Sequence, residues 1–148
     1  MNSVRRCARA ATLLPLAVAT TSLAGATTAS ATPATDTQVV TLSQNTVDGV
    51  DYITRQVTIA PGGSTGWHYH DPTVYGTIRD GTLTWASANC LVEETYPAGS
   101  AVAEPSGADH VHLGRNLGNE PLVMWVTYIA PAGTPPAVDV PDPGCGFA

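Results

Sequence analysis

The sequence contains no lysine, and charged residues of all kinds make up only 12% of its 148 residues. The arginines are outnumbered by twelve acidic residues, and the formal net charge is −6. A nucleic-acid-binding surface needs clustered positive charge to neutralise phosphates. The composition therefore excludes a nucleic-acid binder.

The chain also lacks any long window free of glycine and proline in which apolar residues recur at helical spacing. Its 14 glycines and 12 prolines exclude long amphipathic helices beyond the amino terminus. In a polar chain they would indicate disorder, but 43% of this chain is apolar, in short runs of valine and aromatic residues. Because the length leaves room for one domain, the composition favours a single turn-rich β domain.

Residues 1–31 resemble an export signal. They comprise a positive segment, a short apolar segment and a small-residue cleavage pattern (Arg5, Arg6 and Arg9; Leu13–Leu23; Ala29–Ala31). The apolar segment is shorter than the roughly 20 residues that span a bilayer, so an uncleaved membrane anchor is the less favoured alternative. Both Sec and twin-arginine export remain open. Cleavage after Ala31 predicts an acidic, secreted or extracytoplasmic protein that anionic membranes repel.

Such a cleavage leaves two cysteines, Cys90 and Cys145. An even pair in an exported protein predicts a disulfide. The bond would tie the Pro/Gly-rich tail, residues 132–148, back to the domain. Two free thiols are disfavoured in oxidising surroundings, and a thiolate metal site is disfavoured because Cys90 is far in sequence from the histidines.

Short apolar runs separated by turn signals occupy residues 38–131, which predicts eight or so strands in a sandwich or small barrel. The predicted strands are Gln38–Gln44, Val50–Ile59, Thr65–His70, Val74–Arg79, Thr82–Ala86, Leu91–Tyr96, Ser100–Ala103, Val111–Arg115 and Leu122–Ile129. Residues 32–37 are predicted to be a disordered lead-in, and residues 61–63 a turn. Asp80-Gly81 predicts a tight hairpin. Leu122–Ile129, apolar on both faces, predicts a central strand.

All four histidines fall in two pairs with one residue between the members, His68 with His70 and His110 with His112. Residues two apart on a strand share a face, with Cα atoms about 6.6 Å apart, so each pair can bind one ion. This clustering indicates a metal site. Histidines that only hydrogen-bond within a β face are the alternative.

Two motifs containing these histidines resemble those of the cupin superfamily. The matching residues are Gly62, His68, His70 and Gly81 for the first motif, and Gly99, Pro105–Gly107 and His110 for the second. The resemblance covers about Val50–Pro131, and it is nearest to small secreted bacterial cupins of unassigned function. It implies a small jelly-roll β-barrel whose histidines hold a divalent metal ion inside. Cupins often pair through their barrels, so it also implies a homodimer.

The chain departs from the cupin pattern at two of the expected ligands. The glutamate expected four residues after His70 is replaced by Val74. The third histidine is ambiguous, because spacing from the preceding proline selects His110 and spacing to the following asparagine selects His112. Both are expected on one strand face, so either or both can reach the ion.

The remaining polar and aromatic residues have less specific interpretations. Glu104 and Asp109 are candidates for orienting an imidazole, although solvated loop carboxylates are the favoured interpretation. Trp67 and Tyr69 alternate with the histidines and are expected to pack on the opposite face. Strand aromatics are expected in the core (Tyr75, Trp85, Trp125 and Tyr128). Arg79 and Arg115 are expected in salt bridges, with a substrate carboxylate as the alternative.

Three functions are compatible with these residues. The first is a metal-dependent enzyme that acts on a small molecule by oxygen insertion or isomerisation. The second is a non-catalytic small-molecule-binding protein with no metal or a structural one, favoured by the missing glutamate. The third is a structural envelope protein. Imidazole ligands do not distinguish Zn, Fe, Ni, Cu or Mn as the divalent first-row ion.

Overall fold

A computed structural model of the chain describes residues 30–91 and 93–147. The predicted export signal falls almost entirely outside the described residues. Ten strands and one short 3-10 helix, Ala108–His110, make up the regular structure of these residues. The strands are β1 (Thr35–Val47), β2 (Val50–Ser64), β3 (His68–Tyr69), β4 (Val74–Asp80), β5 (Thr82–Ser87), β6 (Glu93–Pro97), β7 (Ala101–Glu104), β8 (His112–Arg115), β9 (Leu122–Pro131) and β10 (Val138–Asp139). Within the described ranges, no helix has the length and apolar character needed to cross a membrane.

The strands form two antiparallel layers of one continuous sheet. One layer has the order β1-β2-β9-β4-β7, and the other has the order β10-β3-β8-β5-β6. The layers join where Ser64 at the end of β2 pairs with Arg115 at the end of β8. The result is an all-β, nearly closed jelly-roll-like barrel, which confirms the predicted fold class.

The core lies between the layers and follows the period of two expected for strands. Along β2, for example, Ile53, Val57 and Ile59 are buried, whereas their neighbours are half-buried or exposed. Strand β9 is central, as predicted, although only one of its two apolar faces is buried. Trp125 and Ile129 on its outer face are 42% and 47% exposed, because this face of the layer is not covered.

Two turns have positive φ for different reasons. Asp48 and Gly49, with φ of 49° and 77°, form the two-residue connection of the β1–β2 hairpin, where such angles match the strand twist. Gly81 also has positive φ, 76°, but the predicted hairpin there is wrong. Strand β4 pairs with β7 and β9, whereas β5 pairs with β6 and β8. Gly81 is therefore a corner between layers, where an added Cβ would lie 2.8 Å from the Pro121 carbonyl oxygen.

Both ends of the described chain are more ordered than predicted. The expected lead-in at residues 32–37 is wrong in part, since β1 begins at Thr35 and the Thr32 amide donates to the Val140 carbonyl at 2.9 Å. The tail contributes β10, which pairs with β3. Residues 61–63 continue β2 instead of forming the predicted turn. Backbone N–H and C=O groups of the two end segments form hydrogen bonds with each other and with the barrel, and these bonds hold both segments against it.

The predicted Cys90–Cys145 disulfide is present, with the Cα atoms 5.2 Å apart. It holds the tail over the outer face of the second layer. There Trp67 is fully buried, and Val140, Cys145 and Phe147 lie around the same small cluster. The prediction that Trp67 packs on the face opposite the histidines is confirmed.

The expectations for the other aromatic and arginine residues are met in part. Tyr128 is buried, but Tyr75 is 59% exposed and Trp125 lies on the outer face, so for these two the core prediction is wrong. Arg115 forms the expected salt bridge, with Glu93. Arg79 instead places its guanidinium 4.1 Å from the centre of the Trp125 ring, a cation–π contact on the surface.

Candidate metal centre

Three histidines meet inside the barrel. Strands β3 and β8 pair with His68 directly opposite His112, and His70 follows immediately after β3. The ring centres are 4.4 Å apart for His68 and His112, 4.8 Å for His68 and His70, and 5.1 Å for His70 and His112. All three side chains are buried, and one ring nitrogen of each lies within 4.8 Å of the other two.

Backbone carbonyls determine which nitrogen of each ring is free. The Nδ1 atoms of His68, His70 and His112 lie 2.9, 2.7 and 2.8 Å from the carbonyl oxygens of Gly66, Pro136 and His110, respectively. A carbonyl oxygen only accepts, so each Nδ1 carries the proton and donates it. In the neutral ring, Nε2 then keeps its lone pair, as in histidines that bind metals.

His110 is not part of this cluster, and the prediction that it shares a strand face with His112 is wrong. The 3-10 helix Ala108–His110 interrupts the strand before His112 and so removes the two-residue alternation. The His110 side chain is exposed, while its carbonyl accepts the Nδ1 proton of His112. Asp109, in the same helix, is also exposed. His112 is therefore the third histidine of the site.

Glu104 supplies a carboxylate at the site, so the favoured interpretation of this residue as a solvated loop acid is wrong. It ends β7 and is directly opposite Val74 of β4 in the antiparallel register. Cross-strand partners share a face and lie about 5 Å apart. Its Oε2 lies 3.0 Å from Nε2 of His70, and its Oε1 lies 3.5 Å from Nε2 of His112. The carboxylate absent at Val74 thus enters from the neighbouring strand. The sequence offered Glu104 as a candidate for orienting an imidazole, but it did not give the register that puts Glu104 opposite Val74.

The buried charges shift the titration of this cluster. Burial by itself raises the pKa of Glu104, but its contacts with His112 and His70 outweigh burial and hold the pKa well below its usual range. Burial, followed by the charges of His112 and His70, lowers the pKa of His68 to about 4. For His112, burial lowers the pKa, but the contact with Glu104 outweighs it and the pKa is raised. His68 is therefore neutral near pH 7, and Glu104 is ionised.

The cluster fits a divalent metal ion. Nε2 of His70 and Nε2 of His112 are buried and make no hydrogen bond, because an Nε2 lone pair and an ionised carboxylate are both acceptors. Leaving such a polar atom unsatisfied costs about 1–3 kcal/mol. An ion bound by the three Nε2 lone pairs, beside a carboxylate, would satisfy all of these groups. Three imidazoles and one carboxylate form a donor set that Zn, Fe, Ni, Cu and Mn all accept.

A cavity of about 210 Å³ adjoins the histidines. His68, His70 and Glu104 line it, together with Arg55 and Tyr128. Burial, followed by the negative charge of Glu104, raises the pKa of Tyr128 to about 12, so the phenol keeps its proton. Arg55 was not among the site residues predicted from the sequence, although a charged residue on the inward, apolar row of β2 is the pattern that could have identified it.

Comparison with known proteins agrees with this geometry. The cupin domain family matches residues 55–128, which are half of the chain. The chain belongs to the cupins. This cupin has no significant match among curated protein sequences.

Solved structures share its fold at low sequence identity. The polyketide cyclase RemF from Streptomyces resistomycificus is 20% identical, with a TM-score of 0.58 over 78% of this chain and 84% of that chain. A protein with a double-stranded β-helix domain from Klebsiella pneumoniae subsp. pneumoniae is 19% identical, with a TM-score of 0.58 over 71% and 84%. An oxalate oxidase in complex with glycolate is 23% identical, with a TM-score of 0.56 over 70% and 54%. These likenesses establish the cupin fold of this chain and no activity.

Proposed function

We propose that this cupin binds one divalent first-row metal ion through Nε2 of His68, His70 and His112, and that it takes a small molecule in the adjoining cavity. The observation that carries the proposal is the orientation of the three imidazoles. Each Nδ1 donates to a backbone carbonyl, so each Nε2 keeps its lone pair, in a buried cluster where one ring nitrogen of each histidine lies within 4.8 Å of the other two.

An enzymatic role of dioxygenase or isomerase type is the favoured form of this function. A divalent ion held here would act as a Lewis acid toward a substrate oxygen and, if redox-active, would support oxygen chemistry. Within the cavity Glu104 is an ionised, buried carboxylate that can accept a hydrogen bond from a bound substrate. The structurally similar proteins named above include an oxidase and a cyclase, which supports catalysis as a use of this fold.

A non-catalytic, small-molecule-binding function is the second candidate. The 3.0 Å approach of Glu104 to His70 favours it, because a proton shared among the carboxylate and imidazoles could also neutralise the cluster. Binding of a small molecule after complete removal of metal by a chelator, without turnover in the reloaded protein, would identify this function.

Metal content tests the primary proposal, and the chain offers a matched control. We expect purified protein to hold about one equivalent of a first-row metal by equilibrium dialysis and inductively coupled plasma mass spectrometry. His112→Ala should weaken binding by more than the roughly 10- to 100-fold typical of an outer-shell change. His110→Ala removes an exposed histidine two residues away and should leave the affinity unchanged. Failure of the wild-type protein to bind metal at micromolar concentration, or equal losses in both variants, contradicts the proposal.

We further propose that the protein is exported and acts in an extracytoplasmic compartment. The Cys90–Cys145 disulfide supports this location, because such bonds persist in oxidising surroundings. Fractionation of the producing cell, with mass spectrometry of the mature amino terminus, tests it. We expect the mature chain to begin after Ala31.

A further inference from the structure

Arg55 is a charged residue on an apolar row. Along β2, Ile53 and Val57 point into the core and are buried, and Arg55 lies between them on the same face. Residues two apart on a strand share a face, so the Arg55 side chain extends into the barrel interior. It is half-buried there and lines the cavity beside the histidines.

The Arg55 guanidinium has no acidic partner within the described ranges. No carboxylate oxygen of residues 30–91 or 93–147 lies within 4.0 Å of it. Its Nε atom is buried without a hydrogen bond, and its Cζ atom is 5.8 Å from the centre of the Tyr128 ring. That distance is close to the outer limit of about 6 Å for a cation–π contact. A buried donor such as this Nε atom normally has a hydrogen-bond partner, so the group is suited to an anion that enters the cavity.

The charges around the cavity favour a single negative charge on that ligand. A divalent ion on the histidines and the Arg55 guanidinium are positive, whereas Glu104 and Asp139 are the acids that line the cavity. The three positive charges of the ion and the guanidinium exceed the two negative charges of the acids by one. This net positive charge lies in a partly enclosed space, where water screens charges less than in bulk. A monoanion is therefore favoured over a cation or a dianion.

We propose that the cavity binds a small monocarboxylate whose carboxylate group pairs with the Arg55 guanidinium. The planar guanidinium matches a carboxylate through two parallel hydrogen bonds. The volume of about 210 Å³ is below the roughly 300–1,000 Å³ of sites for drug-sized ligands, so the carboxylate carries a short chain. Val57, Leu83, Met124 and Val126 form an apolar wall for that chain. This inference rests on the proposed metal function, because the ion supplies part of the positive charge.

Calorimetric titration of Zn(II)-loaded protein tests the pairing directly. The probes are acetate, glycolate and pyruvate, and the matched neutral probes are acetamide and glycolamide. We expect at least one carboxylate to bind, and Arg55→Gln to weaken it by roughly 10- to 100-fold through the loss of charge-assisted hydrogen bonds. Amides should bind equally weakly to both proteins. Arg55→Lys keeps the charge without the planar fork, so it should have intermediate affinity.

Arg79→Gln is the matched control, since Arg79 stacks on Trp125 at the surface and outside the cavity. It should keep the carboxylate affinity of the wild-type protein. Equal carboxylate affinity in Arg55→Gln and Arg79→Gln overturns the pairing, as does the absence of carboxylate binding to wild-type protein that retains Zn(II). In both cases the metal proposal stands.

Equilibrium dialysis of every variant separates the two proposals. Failure of the wild-type protein to retain Zn(II) overturns the metal function and this inference with it. If Arg55→Gln no longer melts cooperatively, the Arg55→Lys variant tests the pairing in its place. A carboxylate affinity of Arg55→Lys equal to that of the wild-type protein overturns the pairing.

Discussion

Single hydrogen bonds to backbone carbonyls determine the chemistry of the histidine cluster. Each Nδ1 proton of His68, His70 and His112 is held by one carbonyl oxygen, so the ring orientation and the free nitrogen are set before any ion binds. Such orienting contacts also raise the basicity of the ligand nitrogen. Preorganisation of this kind lowers the entropic cost of binding.

The position of the Glu104 carboxylate predicts the effect of exchanging the side chains of residues 104 and 74. Glu104→Val should lower the metal affinity by roughly 10- to 100-fold, because the carboxylate beside the imidazoles is lost. Val74 is directly opposite on the same face, so adding Val74→Glu to that variant should recover much of the affinity. Metal-competition titrations of the wild-type, single and double variants measure this effect. A double variant no better than Glu104→Val would show that the two positions are not equivalent.

Among the secondary-structure elements, the tail links the disulfide to the histidine cluster. Strand β10 pairs with β3, the strand that carries His68, and the Pro136 carbonyl accepts the Nδ1 proton of His70. The Cys90–Cys145 bond secures the end of this tail over Trp67. Loosening the tail therefore removes a contact that orients His70, one of the proposed metal ligands.

Removal of the disulfide should affect both stability and metal binding. Cys90→Ser with Cys145→Ser opens a loop of 55 residues, which lowers the free energy of unfolding by about 4 kcal/mol in the chain-entropy model. We also expect weaker metal binding, because Pro136 no longer holds His70 in place. Chemical denaturation and metal competition measure the two effects. Loss of stability with unchanged metal affinity would show that the tail does not orient His70.

Considered as a whole, the molecule has one long exposed edge. Strand β1 pairs with β2 along one side, and in the described ranges no other strand pairs with its free side. Val39, Val40, Leu42 and Val47 on this strand are 45–50% exposed. Asp36 is its single charged residue, so the edge lacks the charges that usually prevent strand pairing between molecules.

This edge supports the homodimer expected from the cupin resemblance. Two copies of β1 can pair antiparallel about a twofold axis, because such an interface is self-complementary. We expect light scattering after size-exclusion chromatography to give twice the mass of the mature chain. Leu42→Lys should shift the protein to monomers, and Tyr75→Ser, an exposed change on β4, should not. A monomeric wild-type protein at micromolar concentration contradicts the prediction.

Much of the fold follows from local sequence patterns. Alternating apolar residues and turn dipeptides predicted all the strands except β10, because these signals act over a few residues. The even pair of cysteines predicted the disulfide, because that signal depends only on composition. The histidine pair at His68 and His70 was identified for the same reason. Where a neighbouring element covers or exposes a face, as at Trp125, local patterning was insufficient and the core prediction failed.

The composition of the candidate metal site depended on tertiary structure. The choice of His112 over His110, the arrival of Glu104 opposite Val74 and the entry of Arg55 into the cavity each depend on the register between strands distant in sequence. Periodicity in one strand specifies which residues share a face, but it does not specify which residues of another strand they meet. The sequence alone therefore determined the barrel and the presence of clustered imidazoles. Only the packed sheet decided which side chains share the site, because hydrogen bonding between strands sets which residues come together.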